Sequence, residues 1–371
     1  MKINLVSIAR KALRNLDIED LGRNKIKICY KSNYKIAQPK SIVIPKFIKL
    51  DEEFSEAIGL YLGDGKLTPF DSTHLEYTTI DEDIGKFMLE FFLNRLNVKT
   101  EDITFTIRYR FGKENELRRK WSKILGIPPN RLYIRKLTKY RMRDSISFQI
   151  NSVIFRKIFQ NLVESVLPII RNKKKLRQAF LRGEFAADGK IGIEKAVNTY
   201  YISEISFCYD AKKEIWLRDY IIDILKAEGI SNFNVTNGYI RVTNWKNYVK
   251  FWKMRLFDKC KRKKDKFLNV VKQMEVRLRL NLRFLRKFLG STGLSNREIR
   301  KIINLHRTNL KRVLNGSQLL KLEQIYKLLQ FSSFKWRDVI RNANLLRIGR
   351  NTNLRLENDF IHFLLREKNL N

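Results

Sequence analysis

Three cysteines in 371 residues, Cys29, Cys208 and Cys260, are too few and too far apart for a disulfide framework or a zinc pattern. The three histidines (His74, His306, His362) are equally scattered. No uninterrupted apolar run is long enough to span a bilayer and no signal peptide is read, so a cytoplasmic, reducing setting is expected. Acid is also scarce: 38 Asp+Glu face 76 Lys+Arg, a net charge of +38 spread along the whole chain. A field of that sign implies a polyanionic partner and strongly salt-dependent binding. Nucleic acid is favoured over an anionic membrane because no amphipathic anchor stands out.

What is present is a stretch that occurs twice. Glu56-Ala-Ile-Gly-Leu-Tyr-Leu-Gly-Asp64-Gly65-Lys66 is echoed near the middle by Phe180-Leu-Arg-Gly-Glu-Phe-Ala-Ala-Asp188-Gly189-Lys190. Each copy reads as a short apolar helix with small residues four apart (Gly59 and Gly63; Gly183 and Ala187), followed by Asp-Gly-Lys. Positions i and i+4 share a face, so two such helices are able to pack backbone to backbone. Each Asp then faces the negative end of its own helix dipole, and the pair repel each other unless a cation sits between them. For one copy, a buried helix closed by glycine suffices as an explanation; the recurrence points to chemistry.

Ala57 to Gly65 and Leu181 to Gly189 resemble the nine-position LAGLIDADG motif of homing endonucleases, with Leu62 and Ala186 at the sixth position where that family often has Asp. The resemblance covers roughly residues 50 to 260. It implies an α+β fold in which two pseudo-symmetric αββαββα halves meet along the motif helices and form a DNA-binding saddle. It also implies that Asp64 and Asp188 hold two or three Mg²⁺ ions, with the backbone carbonyls of Gly63 and Ala187 as secondary ligands. The family places Lys or Gln at strand ends beside the metals. Here those junctions read Ile80-Asp81, Asn151, Tyr209-Asp210 and Asn244, and Lys66, Lys190 and Lys246 are the substitute cations.

Along the chain, residues 1–50 form a basic lead-in, expected as a helix from Ile3 to Leu16 and an extended stretch ending at Pro45. The first half runs over 51–167 and the second over 168–262. A helix from Ser152 to Glu164 closes the first half, and Pro168 opens the connector. The stretch Ile103 to Arg110 alternates apolar and polar, which turns Thr104, Thr106, Arg108 and Arg110 to one face. Ser145, Ser147 and Gln149 repeat the pattern after Arg141 and Arg143, and Tyr239, Arg241 and Thr243 flank Ile240 and Val242. Arg and Thr on such a face suit base edges and phosphates. From Arg108 to Arg143 there are thirteen Lys/Arg against two Glu, with aromatic residues interleaved, which extends a phosphate-contacting surface.

Residues 263–371 are expected to form an all-α domain. Ser295-Asn-Arg-Glu298 is a capping box, and the turn at Asn304 and the helix Arg307 to Leu314 follow it. This resembles the helix-turn-helix of phage-repressor-type domains, which puts Arg307, Thr308, Asn309, Lys311 and Arg312 on the recognition helix. The expectation is a monomeric, Mg²⁺-dependent, site-specific endonuclease acting on double-stranded DNA. Its competitors are a catalytically inactive LAGLIDADG/helix-turn-helix regulator and an RNA maturase that binds intron RNA.

Overall fold

Strand β1 (Lys2–Asn4) leads directly into helix α1 (Leu5–Ala12), because the Asn4 side chain accepts the Val6 amide at 2.9 Å and caps the helix. The computed structural model describes residues 1–14, 16–30, 40–66, 74–110, 112–137, 143–196, 199–348, 352–354 and 357–370. After α1 come β2 (Leu16–Gly22), β3 (Lys25–Tyr30) and β4 (Lys40–Pro45), an antiparallel three-stranded sheet. Arg23 and Asn24 turn between β2 and β3 with positive φ. The expected helix to Leu16 is therefore shorter, and part of the lead-in is sheet. β5 (Phe47–Lys49) pairs back onto β1.

The first motif helix, α2 (Glu52–Asp64), starts where Asp51 accepts the Phe54 amide at 3.0 Å. It is followed by β6 (Gly65–Lys66), β7 (Leu75–Thr79) and α3 (Glu82–Glu90), which continues as a π-helical turn, Phe91–Arg95. Then come β8 (Ile103–Tyr109), α4 (Glu114–Leu125), β9 (Leu132–Lys136) and β10 (Ser145–Ile150). The sheet order is β6-β7-β10-β8-β9, with β9 added parallel to β8. On β8, Ile103, Phe105, Ile107 and Tyr109 are buried and the residues between them are half-buried, as the alternation requires.

Helix α5 (Val153–Asn172) runs straight through Pro168, where a connector was expected. Pro168 is on the exposed side of the helix, so water is able to satisfy the carbonyl left without an amide partner. Helix α6 (Lys174–Asp188) is the second motif helix. It packs on α2 at backbone distance: a Cβ on Gly59 would lie 2.3 Å from the Phe180 carbonyl oxygen, and one on Gly183 would lie 2.0 Å from that of Glu56. Ser55 Oγ donates to the Leu176 carbonyl at 2.8 Å, and the Arg182 guanidinium pairs with Glu56 at 2.6 Å.

Beyond α6 lie β11 (Gly189–Ala196), β12 (Thr199–Cys208), α7 (Ile215–Ala227), β13 (Phe233–Thr236), β14 (Tyr239–Val242), α8 (Trp245–Lys253) and α9 (Lys261–Gln273). Their strands order as β11-β12-β14-β13. The chain continues with β15 (Val276–Leu280), α10 (Leu282–Ser291), α11 (Asn296–Ile302), α12 (Arg307–Leu314), β16 (Leu320–Lys321) and α13 (Leu322–Leu329). It ends with α14 (Trp336–Arg341), β17 (Ala343–Ile348), β18 (Thr352–Leu354) and α15 (Asn358–Glu367).

The fold is mixed α+β. The expectation of an all-α C-terminal domain is corrected, because β16-β15-β17-β18 form a sheet there. Val276, Leu278 and Leu280 are buried while Arg277 and Arg279 face outward, an alternation only a strand produces. By contacts the chain divides into two units. One is Met1–Lys190 with Ser206–Arg241 and Lys253–Lys264; the other is Ile191–Ile205 with Val242–Trp252 and Asp265–Asn371. In the second unit Trp252 packs on Phe363, ring centres 4.7 Å apart, and the buried Phe360 and Leu364 place α15 in its core.

Candidate functional site

The close packing of α2 and α6 carries through to their C-terminal ends. A Cβ on Gly63 would stand 2.6 Å from the Ala187 Cβ and 3.3 Å from Asp188 Oδ2, so Asp64 and Asp188 end neighbouring helices side by side. Burial, and next the charge of Asp188, push the Asp64 carboxyl up to about 7; Asp81 adds to the rise, while Lys263 opposes it. Burial also raises Asp188, to about 6, with Glu214 adding and Lys263 opposing. One turn earlier on α6, Glu184 is fully buried, and neither carboxyl oxygen has a hydrogen-bond partner among the described residues. Burial, and next the charge of Asp188, hold its pKa well above the usual carboxyl range.

Two cations at this site come from α9, whose first turns belong to the Lys- and Arg-rich run Lys259 to Lys266. Lys263 is 5% exposed, and its ammonium donates to the carbonyls of Phe185, Ala186 and Ala187 at 2.7, 2.7 and 2.8 Å. All three N–H bonds are thus used on the last turn of α6, where the helix dipole favours positive charge. Burial lowers the Lys263 pKa, and the Asp64 and Asp188 charges are among those that raise it again. Arg262 grips Asp81 with both Nε and Nη2, at 2.7 and 2.8 Å. Of the lysines expected to serve, Lys190 lies 5.7 Å from the Tyr239 ring centre and Lys246 is exposed in the first turn of α8. Lys66 pairs in β6 through its backbone, and its side chain lies outside those described.

A cavity of about 320 Å³ opens beside the acids. Asp64, Asp81 and Ala187 line it together with Thr78, Thr79 and Ser145, and Arg108, Arg143 and Arg262 supply the positive charge. The polar face of the sheet leads there, with one correction. Ser145 and Ser147 share the face of Arg108 and Thr106 but are buried rather than outward, because β10 is interior to the sheet. Ser147 Oγ donates to Glu76 at 2.9 Å, and Arg108 pairs with the same carboxylate at 2.6 Å. Thr104 accepts from Asn151 at 2.9 Å; Thr106, Arg110 and Gln149 are half-buried, and Arg143 is exposed. Arg141 lies outside the described residues.

On β14 and just beyond it, Ile240 and Val242 are buried, Thr243 is exposed, and Arg241 stacks 5.2 Å over Tyr239. Further along, Ser295 and Glu298 form the expected capping box, and Asn304 takes the left-handed turn at φ 50. Arg307, Thr308, Lys311 and Arg312 are exposed on α12 and Asn309 is half-buried, while Leu310 and Val313 turn inward.

Hard oxygen donors of this kind fit Mg²⁺, which takes one or two carboxylates and completes its shell with water and phosphate. The Asp188 charge adds to the rise at Asp64, and an ion between the two carboxyls would neutralise it. No group of three or more His, Cys, Asp or Glu able to hold a metal occurs among the described residues. No helix among the described residues is long and apolar enough to cross a membrane. No protein-family model matches the chain, and no curated protein matches it.

Proposed function

We propose that the chain is a LAGLIDADG-type, Mg²⁺-dependent endonuclease of double-stranded DNA, acting as a cytoplasmic monomer. One observation carries the reading: α2 and α6, packed at backbone distance, present Asp64 and Asp188 together beside an arginine-bearing cavity. The order of elements supports an internal duplication. With α4 and β9 set aside as an insertion, α2-β6-β7-α3-β8-β10-α5 matches α6-β11-β12-α7-β13-β14-α8 term by term. The sheet orders β6-β7-β10-β8 and β11-β12-β14-β13 match in the same way. Helices α11 and α12 with the Asn304 turn support a helix-turn-helix that lengthens the DNA contact.

Asp64 and Asp188 would hold the ion, with the Gly63 carbonyl beside them. When bound, Mg²⁺ lowers the pKa of water and offsets charge on the attacking and departing oxygens. Arg108, Arg143 and Arg262 draw a phosphate into the cavity, while Thr78 and Thr79 offer hydroxyls at its wall. Hydrolysis joins a water oxygen to phosphorus as the bond to the 3′ oxygen breaks, leaving a 5′-phosphate and a 3′-hydroxyl. The exposed basic residues of α12 hold the duplex through its phosphates.

A second reading, a DNA-binding regulator without cleavage, is favoured by the Lys263 ammonium on the Ala187 carbonyl. Incubating the protein with Mg²⁺ and a randomised duplex library, then sequencing the ends, separates the two. Staggered cuts within one long site support the nuclease. Retention of one sequence class without new ends supports the regulator, and retention of RNA but not duplex DNA overturns both.

A further inference from the structure

The N-terminal strands border an open cleft of about 760 Å³. Five cations line it: Lys2 from β1, Arg23 from the turn between β2 and β3, Lys46 and Lys49 at β5, and Arg95 from the π-helical turn. Part of that charge is already used. Asp20 takes Lys46 at 2.5 Å, Asp51 takes Arg95 at 2.6 Å and Lys49 at 3.7 Å, and Glu53 takes Arg95 at 3.1 Å. Five cations against three carboxylates leave the cleft positive, and Lys2 and Arg23 are exposed in it. The wall also carries an aromatic ring held in place. Gly22, Arg23 and Asn24 turn with φ of 72, 46 and 62, and the Asn24 side chain donates to the Phe47 carbonyl at 2.9 Å and accepts the Phe47 amide at 2.8 Å. The Asn24 carbonyl accepts the Lys46 amide at 2.9 Å, which clamps the turn to the corner before β5. Phe47 is thereby presented 38% exposed, with the Lys46 ammonium 5.8 Å from its ring centre.

We propose that this cleft binds an unpaired nucleic-acid strand, with one base stacked on Phe47 and the flanking phosphates on Lys2, Arg23 and Lys49. A space of this size takes a nucleotide rather than a phosphate alone. A free base stacks on an exposed ring whatever its sequence, whereas the bases of a duplex are already stacked on one another. Asn94, exposed in the same wall, adds an amide able to donate and accept at a base edge. An acidic peptide would satisfy the cations and leave the ring unused. The cleft is separate from the motif acids. Lys49 and Arg95 pair with Asp51, the N-cap of α2, while Asp64 ends that helix, about 20 Å further along its axis at 1.5 Å per residue. A strand held here is therefore a second nucleic-acid segment and not the one at the acids. The inference goes beyond the endonuclease reading and does not require it.

Fluorescence anisotropy with labelled thymidine and uridine oligomers of about ten nucleotides tests this, on the purified protein without divalent ions and with saturating unlabelled duplex DNA to occupy other basic surfaces. Wild type is expected to keep an oligomer bound, and the ratio between the two oligomers identifies the preferred sugar. Phe47→Leu should weaken that binding at least about fivefold, the loss of one stacked base, with the salt dependence unchanged. Arg23→Gln should lower the slope of log affinity against log salt by about 0.7, one phosphate on a single strand. Neither variant should alter affinity for the duplex. An iodouracil-substituted oligomer should photocrosslink to the peptide that contains Phe47. Complete displacement by duplex, equal displacement by polyglutamate, or wild-type behaviour of both variants overturns the proposal and leaves the nuclease reading intact. Should Phe47→Leu fail to fold, the salt slopes of Arg23→Gln and Lys2→Gln, both changes of exposed side chains, decide the matter.

Discussion

Gly183 faces Glu56 so closely that a Cβ added to the glycine would lie 2.0 Å from the glutamate's carbonyl oxygen. That oxygen is backbone and unable to swing away, so the separation of α2 and α6 is set by the missing side chain. The position of everything at the helix ends follows from it, including Asp64 and Asp188.

Gly183→Ala should therefore destabilise the protein by about 3 kcal/mol or more, the upper range for overpacking against rigid atoms. Gly290→Ala, where a Cβ meets nothing within 4 Å, is the control and should be neutral or mildly stabilising, since it sits within α10. Urea unfolding followed by circular dichroism measures both. Equal midpoints for the two variants would show that the helices have room between them.

The acid pair sets a pH dependence. Asp64 at about 7 and Asp188 at about 6 keep protons in the folded protein that the unfolded chain loses near pH 4. Stability from these groups is present below about pH 4 and lost as pH rises toward 7. Asp64→Asn should accordingly gain stability over wild type as pH is raised from 4.5 to 8. Unfolding midpoints across that range, without divalent ions, check the difference. A difference that is flat or falls with pH would mean that the folded protein does not hold the Asp64 carboxyl above its ordinary pKa.

Binding to duplex DNA should weaken steeply with salt. Arg307→Ala and Lys311→Ala, both on the exposed face of α12, should each reduce the slope of log affinity against log salt by about one phosphate contact. Fluorescence anisotropy at several salt concentrations supplies the slopes. Unchanged slopes in both variants would remove α12 from the DNA contact.

What was legible in the sequence is what is encoded locally. Gly59, Gly63, Gly183 and Ala187 announce the close helix pair by their spacing, and the bounds of α12 follow from the Asn304 turn before it and Gly316 after it. The β8 alternation is equally direct. Pro168 misled because a proline reads as a break, and only its exposure on the folded helix shows why α5 continues. The strand Val276–Leu280 was readable from its alternation but lay in a helix-rich context. Lys263 had no signature at all: its partners are main-chain carbonyls more than seventy residues earlier, identical in every residue type, and nothing distinguishes it from the lysines beside it.

The most direct test uses the duplex recovered from the randomised library, each strand labelled separately, with wild type, Asp64→Asn and Asp188→Asn in Mg²⁺. The account predicts that each substitution lowers single-turnover cleavage by at least about 100-fold while affinity for the duplex stays within about threefold, the behaviour of groups that act on the transition state rather than on binding. Cleavage at the wild-type rate by either variant would contradict it.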